Sequence, residues 1–299
     1  MLEIREILCP IDFSETSRHA LQHAVVIAKW FDARITALHV IHRPLFPQPP
    51  ILGFGFVDSL PSASPNYRAG EQELHTWLEP ARQAGLRTEA MVAEGDTIQR
   101  ILEHAQSGQA SLITIGTHGL SGFEHFMLGS VAEKILRKAT CPVMTVPPAV
   151  KTAARVPYKR LLCPVDFSDS SLAALRLAFS LAEEADADLT ILHVFDWPPD
   201  SELIVERFDE PEFRKVIEER AHRRLDSLVT DDVREWCRPA TKVAYGRPYR
   251  AILDIAEREG ADLIVMGVHG RNPLDLAVFG STTNHVVRRA PCPVLTLKK

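Results

Sequence analysis

Two stretches of this 299-residue chain bring glycine, serine and a nearby carboxylate into spacings that suit an anion. Gly116-Thr-His-Gly119 is followed, after nine intervening residues, by Gly129-Ser130. Gly267-Val-His-Gly270 is followed, again after nine intervening residues, by Gly280-Ser281. Each stretch comes after an apolar run (Leu112 to Ile115; Leu263 to Met266) and leads into a helical pattern that ends in Cys-Pro-Val. The order reads as strand, glycine-rich loop, helix, strand. Glycine admits φ > 0 and lets a backbone approach a ligand closely. Backbone N–H groups in such a loop, with a helix N-terminus behind them, cradle an anion. The chemistry to expect is a phosphate grip at the end of a parallel strand, built twice. The alternative is a tight turn needed only for packing.

Other polar residues fall near these loops. Asp12 and Asp166 follow the first strand of each half, where a carboxylate suits either a ligand or the N-terminus of the next helix. Ser14 is the candidate N-cap. His118 and His269 occupy equivalent loop positions, and either contact a phosphate or fix the backbone. His39 and His193 lie on buried strands and read as core histidines. A zinc site from Cys9, His39 or the loop histidines lacks a recognisable ligand spacing. Phe54, Phe56, Trp30 and Trp77 read as packing rather than a base-stacking platform. No Gly-Lys-Ser/Thr phosphate loop is present. No acidic pair is placed for Mg²⁺ and no general base stands out, so efficient catalysis is not expected. Slow hydrolysis is allowed.

The elements that must position these residues come from an internal repeat. Leu8-Cys-Pro-Ile-Asp-Phe-Ser14 recurs as Leu162-Cys-Pro-Val-Asp-Phe-Ser168, 154 positions on, and Leu38-His-Val40 recurs as Leu192-His-Val194. Gly95 and Gly116 recur 151 positions on, as Gly246 and Gly267, so the halves differ in length between the second and third strands. The expected domains are 1–148 and 158–299, with 149–157 as linker. In each half, buried strands alternate with amphipathic patterns such as Ala20, Leu21, Ala24, Val25 and Ala28. Second strands are expected at Ile35–Val40 and Leu189–Val194, third strands near Thr88–Val92 and Thr241–Tyr245, and last strands at Val143–Val146 and Val294–Leu297. Helices are expected over Gly70 to Ala84 and Glu212 to Leu228, with Asp96 or Thr97 capping the next helix and Pro248 in its counterpart's first turn. The proline-rich Arg43 to Asn66 segment reads as a long loop at the mouth of the first site. Continuous apolar strands alternating with helices indicate two tandem doubly wound α/β domains, each a five-stranded parallel sheet covered on both faces. Ligands bind such sheets beyond the C-terminal strand ends.

Composition bounds the function. Hydrophobic residues make up 45% and charged residues 24%, as in ordinary globular proteins, and the formal net charge of −5 offers no footprint for nucleic acid. Five cysteines give no disulfide framework, and Cys9, Cys141, Cys163 and Cys292 read as small apolar residues. Neither a signal-peptide core nor a membrane-spanning run is visible, so the expectation is a cytoplasmic protein with no membrane partner.

The doubled Gly-x-x-Gly-(nine)-Gly-Ser pattern, each copy with its Asp and terminal Cys-Pro-Val, resembles the ATP-binding subclass of the universal stress proteins along nearly the whole chain. The resemblance implies an adenine nucleotide alpha hydrolase-like fold. It also implies ATP as ligand, with Mg or Mn as an open alternative for an accompanying ion. Carried over, Pro10 and Asp12, with Pro164 and Asp166, would face the adenosine part, and Val40 and Val194 would offer main-chain groups to adenine. Gly116, His118, Gly119, Gly129, Ser130 and Val131 would surround the phosphates. Gly267, His269, Gly270, Gly280, Ser281, Thr282 and Thr283 would do so in the second half. Ala132 stands where the second half has Thr283, which implies one phosphate hydroxyl fewer in the first. The last strands would pair within the chain as an internal pseudo-dimer, with a homodimer also open. Partner proteins would respond to the nucleotide. A non-nucleotide, chaperone-like scaffold remains the alternative, and a metal-dependent hydrolase a third.

Overall fold

The computed structural model of the protein describes residues 3–42, 65–119, 128–148, 150, 157–196, 211–237, 239–270 and 280–298. The apolar runs of the sequence become strands because both their faces are covered. Ile7 and Cys9 of β1 (Glu6–Pro10) look into one layer of the core, and Leu8 looks into the other. In the first half β1 is followed by α1 (Glu15–Phe31), β2 (Arg34–Ile41), α2 (Pro65–Gln83), β3 (Thr88–Glu94), α3 (Thr97–Ser107), β4 (Leu112–Gly116), α4 (Ser130–Lys138) and β5 (Val143–Val146). The second half runs β6 (Arg160–Pro164), α5 (Asp169–Ala185), β7 (Asp188–Phe195), α6 (Pro211–Asp226), α7 (Asp231–Trp236), β8 (Ala240–Tyr245), α8 (Pro248–Glu259), β9 (Leu263–Gly267), α9 (Ser281–Arg289) and β10 (Val294–Leu297).

The strand order is β3-β2-β1-β4-β5-β10-β9-β6-β7-β8, one ten-stranded sheet. Each half is parallel throughout, and the halves join where β5 and β10 pair antiparallel, Val294 opposite Thr145 and Thr296 opposite Val143. Thr145 Oγ1 donates to the Val294 carbonyl at 3.2 Å and Thr296 Oγ1 to the Val143 carbonyl at 3.1 Å, so the seam carries side-chain bonds as well. Pairing the last strands removes two open edges. The internal pseudo-dimer expected from the sequence is this seam.

The order reverses between β1 and β4, and between β6 and β9. Pro10 and Pro164 matter at that point. The Ile11 N–H bonds the Leu38 carbonyl on the β2 side at 2.8 Å. Alternation along a strand therefore turns the nitrogen of Pro10, which carries no hydrogen, toward β4. The β1–β4 register covers only Ile7 and Leu8, whereas β1 pairs with β2 as far as Pro10. The second half repeats this, with β6–β9 limited to Leu161 and Leu162. Two neighbouring strands are free to part at their C-terminal ends, and a crevice opens there in each half.

Several boundaries differ from expectation. Helix α2 begins at Pro65, inside the expected loop, because a proline is accommodated in a first helical turn; the rest of that loop, with Phe54 and Phe56, lies outside the described residues. The third strands continue to Glu94 and start at Ala240. The short α7 was not expected from sequence. Trp30 and Trp77 pack against the core, with the Arg18 guanidinium 4.2 Å over the Trp77 ring. Of the expected linker, only Val150 and Pro157 are described.

A buried polar bond ties the halves together beneath the seam. His23 of α1, 2% exposed, places Nδ1 2.9 Å from the hydroxyl of Tyr158, which precedes β6 and reaches Met144 of β5. Burial, and secondarily the neighbouring His19, hold the His23 imidazole down to about 4 from its ordinary 6.5. His19 in turn lies 3.9 Å from Glu15. The unfolded chain binds this proton more readily than the folded one, so stability is complete above about pH 6.5 and falls as pH drops toward 4. Urea unfolding at pH 7, 5.5 and 4.5 is expected to show a loss on the order of 3 kcal/mol that His23→Gln does not share. Parallel pH curves for the two proteins would refute this coupling.

Candidate functional site

Each crevice is a cavity, about 270 Å³ in the first half and about 340 Å³ in the second. All the first-half residues that the resemblance places around a ligand line the first: Pro10, Asp12, Val40, Gly116, His118, Gly119, Gly129, Ser130 and Val131. Pro164, Asp166, Val194, Gly267, His269, Gly270, Gly280, Ser281, Thr282 and Thr283 line the second. Sequence reasoning missed the apolar wall, formed by Leu38, Ile101 and Ile115 and by Leu192, Ile252 and Met266. The 3.6-residue period of α3 and α8 carried the signal for Ile101 and Ile252.

The carboxylate wall is built locally. Asp12 Oδ1 accepts from Ser14 N–H at 3.0 Å and from Ser14 Oγ at 2.5 Å, while Ser14 caps α1 by accepting from Ser17 N–H. Asp166 and Ser168 repeat the arrangement at 3.0 and 2.6 Å, with Ser171 as the capped residue. The cap is thus the serine, and the aspartate holds the cap. This turn forces Phe13 and Phe167 to φ of 63° and 65°. Left-handed backbone at a bulky residue costs about 1–3 kcal/mol and persists only where surroundings enforce it. Here each ring is held, Phe13 by His39 and Trp77, and Phe167 by His193 and the Arg224 guanidinium. His39 and His193 bond the carbonyls of Ile11 and Val165 through Nδ1, at 2.8 and 2.7 Å; His193 is buried as expected of a core histidine, whereas His39 is half-buried and lines the first cavity.

The loop wall is fastened to α1 and α5 by hydroxyls. Thr16 Oγ1 donates to the His118 carbonyl and Ser170 Oγ to the His269 carbonyl. Each loop histidine is therefore fixed through its main chain by another element, while its residue lines the cavity. His118 Nδ1 also lies 2.9 Å from Thr117 Oγ1.

The glycines serve close approach rather than positive φ, and in two different ways. A Cβ at Gly116 would sit 2.9 Å from the Thr16 backbone, and one at Gly267 would sit 2.7 Å from Ser170 Oγ. These two glycines let helix and strand pack, and both also line their cavities. A Cβ at Gly119 would come within 2.6 Å of Asp12 Oδ2, and one at Gly270 within 3.0 Å of Asp166 Oδ2. Loop and carboxylate thus abut each other at the edge of the crevice. The residues between Gly119 and Leu128, and between Gly270 and Gly280, lie outside the described ones.

The third wall is a helix N-terminus. Gly129 N–H bonds the Thr117 carbonyl at 2.8 Å, and the first bond of α4 is Glu133 N–H to the Gly129 carbonyl at 2.9 Å. The N–H groups of Ser130, Val131 and Ala132 have no acceptor within the helix. In α9 the Asn284 to Gly280 bond leaves those of Ser281, Thr282 and Thr283 in the same state. Neither Gly129 nor Gly280 supplies a capping side chain. Thr283 lines the second cavity. Its side chain is buried, and its hydroxyl donates to the Gly267 carbonyl at 3.0 Å, so its one proton is committed to the backbone. Ala132 in the first half lacks that backbone bond. Among the described residues no three His, Cys, Asp or Glu side chains gather as a metal site. Burial pushes the thiols of Cys9 and Cys163, which lie beneath the crevices, upward from their ordinary range.

The sequence pattern of the Universal stress protein family matches residues 3–147 and again 157–298. The chain belongs to that family. Universal stress protein MJ0531 of Methanocaldococcus jannaschii is 34% identical over 143 residues, 48% of this chain and 81% of that one. A universal stress protein of Mycolicibacterium smegmatis is 25% identical across 98% of this chain and 96% of its own. The crystal structure of a universal stress protein from Archaeoglobus fulgidus superposes with a TM-score of 0.69 at 25% identity, covering 98% of both chains. Two family domains, the ten-stranded sheet and the tandem likeness agree with one another. No helix among the described residues is long and apolar enough to cross a membrane.

The packing role of Gly267 is directly testable. Gly267→Ala places a methyl group against Ser170 and is expected to destabilise the chain by about 1–3 kcal/mol in urea unfolding. Unchanged stability would mean that the strand end tolerates the atom, and that this glycine is kept for another reason.

Proposed function

We propose that the chain binds ATP or a related adenine nucleotide in each crevice and acts as a nucleotide-responsive regulator of a stress response. The observation that carries this reading is the set of N–H groups at the starts of α4 and α9, whose residues line the two cavities. Opposite them, Asp12 and Asp166 are acceptors suited to ribose or base N–H and O–H groups. Between the two ends, apolar walls at Leu38 and Ile101, and at Leu192 and Ile252, accommodate a planar base. Membership of the universal stress protein family supports the same reading. Asp12 in the first crevice, and Asp166 and Asp196 in the second, serve this reading as hydrogen-bond acceptors, so binding rather than turnover is the activity assigned. Occupancy would order the glycine-rich loops and shift which surface a partner protein meets.

Calorimetric titration with ATP tests the assignment. Wild type is expected to take up two equivalents per chain, and Asp12→Ala or Asp166→Ala to weaken one of the two sites roughly tenfold to a hundredfold. Thermal melting of each variant in parallel separates lost binding from lost folding, because both aspartates also hold a helix cap. Wild-type protein that takes up no adenine nucleotide would overturn the reading. Binding unchanged in both variants would overturn the roles given to the carboxylates.

A further inference from the structure

A further cavity of the first half, about 280 Å³, opens at the opposite end of the sheet from the crevice, where the strands begin. Its sheet side is formed by Glu6 of β1, Arg34 and Thr36 of β2, and Glu89 and Met91 of β3, which share a face because they alternate along their strands. Its other side is the last turn of α3, with His104, and Gly108 just beyond it. Glu6 is buried and yet lines this cavity. One of its oxygens accepts from Thr36 Oγ1 and the other from Arg34 Nε, both at 2.5 Å. Arg34 Nη1 also lies 3.5 Å from Glu89 Oε2. One guanidinium is thus shared between two carboxylates, which leaves the wall with a formal negative charge. His104 adds an acceptor. Its Nδ1 lies 2.7 Å from the Arg100 carbonyl, so the neutral ring carries its proton there and Nε2 is left to accept. The end of α3 is itself the negative end of a helix dipole.

The second half shows what fills such a place. The repeat puts Thr190 at the position of Thr36, Lys242 at that of Met91 and Glu259 at that of Gly108. Glu259 Oε2 accepts from Thr190 Oγ1 at 2.9 Å, and its Oε1 accepts from the Lys242 ammonium. A carboxylate seated on the same threonine therefore holds an alkylammonium that the chain itself supplies. In the first half the carboxylate is present as Glu6, but the residue that would bring the ammonium is Met91, and Gly108 has no side chain to take up the space. We infer that this cavity is a binding site for a small aliphatic primary amine. Its ammonium donates to Glu6, Glu89 and His104 Nε2, and its methylenes lie along Met91. An ammonium carries three N–H donors on one compact charge, which suits three acceptors around a wall of net negative charge. This site is separate from the crevices and independent of what they bind.

The test is NMR titration of the full chain, at fixed ionic strength, with n-butylammonium chloride and with tetramethylammonium chloride, a cation of equal charge that has no N–H donor. The backbone amides of Thr36, Met91 and Gly108 are expected to follow one saturable curve with n-butylammonium, at least about tenfold tighter than with tetramethylammonium. Met91→Lys, which supplies an ammonium from the chain as Lys242 does, is expected to weaken n-butylammonium binding at least about tenfold. Glu89→Gln, at a half-exposed position, keeps the test open should Met91→Lys fail to fold, and is expected to weaken binding about threefold or more. Equal responses to the two cations would reduce the effect to counterion attraction and overturn the inference. Binding unchanged in both variants, or no saturable response in wild type, would overturn it as well.

Discussion

The first hydrogen bond inside α4 starts at Glu133, and in α9 at Asn284, so three N–H groups at each helix start find no acceptor within the helix. Everything around the crevices is arranged about that unmet demand. Gly129 and Gly280 bring the helix starts in without a capping side chain that would satisfy it internally. Their own N–H groups bond back to Thr117 and Val268, which fixes the direction in which the helix points. Pro10 and Pro164 stop the sheet from closing over the gap. A serine cap at α1 and α5, by contrast, satisfies those helices locally and leaves the aspartates at the wall. One pair of helices is finished by its own sequence, and the first-turn residues of the other pair line the crevices.

The two walls of each crevice come from distant parts of the chain, and hydroxyls register them. Thr16 holds the His118 carbonyl and Ser170 the His269 carbonyl. The close faces of Gly119 against Asp12, and of Gly270 against Asp166, need that registration, because a shift of one side would separate acceptor from loop. The backbone strain at Phe13 and Phe167 belongs to the same construction. The aromatic and cationic contacts of those rings offset it and keep the Asp-Phe-Ser turn in one shape.

Much of this was legible in the chain. The repeat, the strand pattern and the final strands followed from apolar runs broken by Gly and Pro, and the observed β5 and β10 coincide with the expected ranges. The convergence of Asp12, Val40 and the Gly116 loop followed from the rule that parallel strands present their C-terminal ends together. What was not legible is which atom a side chain reaches. Periodicity assigns faces, but it does not show that Gly267 clears space for Ser170, or that the Thr283 hydroxyl turns to a backbone carbonyl. Nor does it show that Asp12 supports the cap rather than forming it. The start of α2 was misplaced because a proline-rich approach reads as loop up to the residue at which proline becomes a helix starter.

Amide-resolved NMR of isotopically labelled protein tests the central claim most directly. On addition of ATP the backbone N–H resonances of Ser130, Val131 and Ala132, and of Ser281, Thr282 and Thr283, are expected to move together along one saturable curve for each half. Saturable ATP binding that leaves those six resonances where they were, while others move, would contradict the assignment of the helix starts as the anion-holding wall.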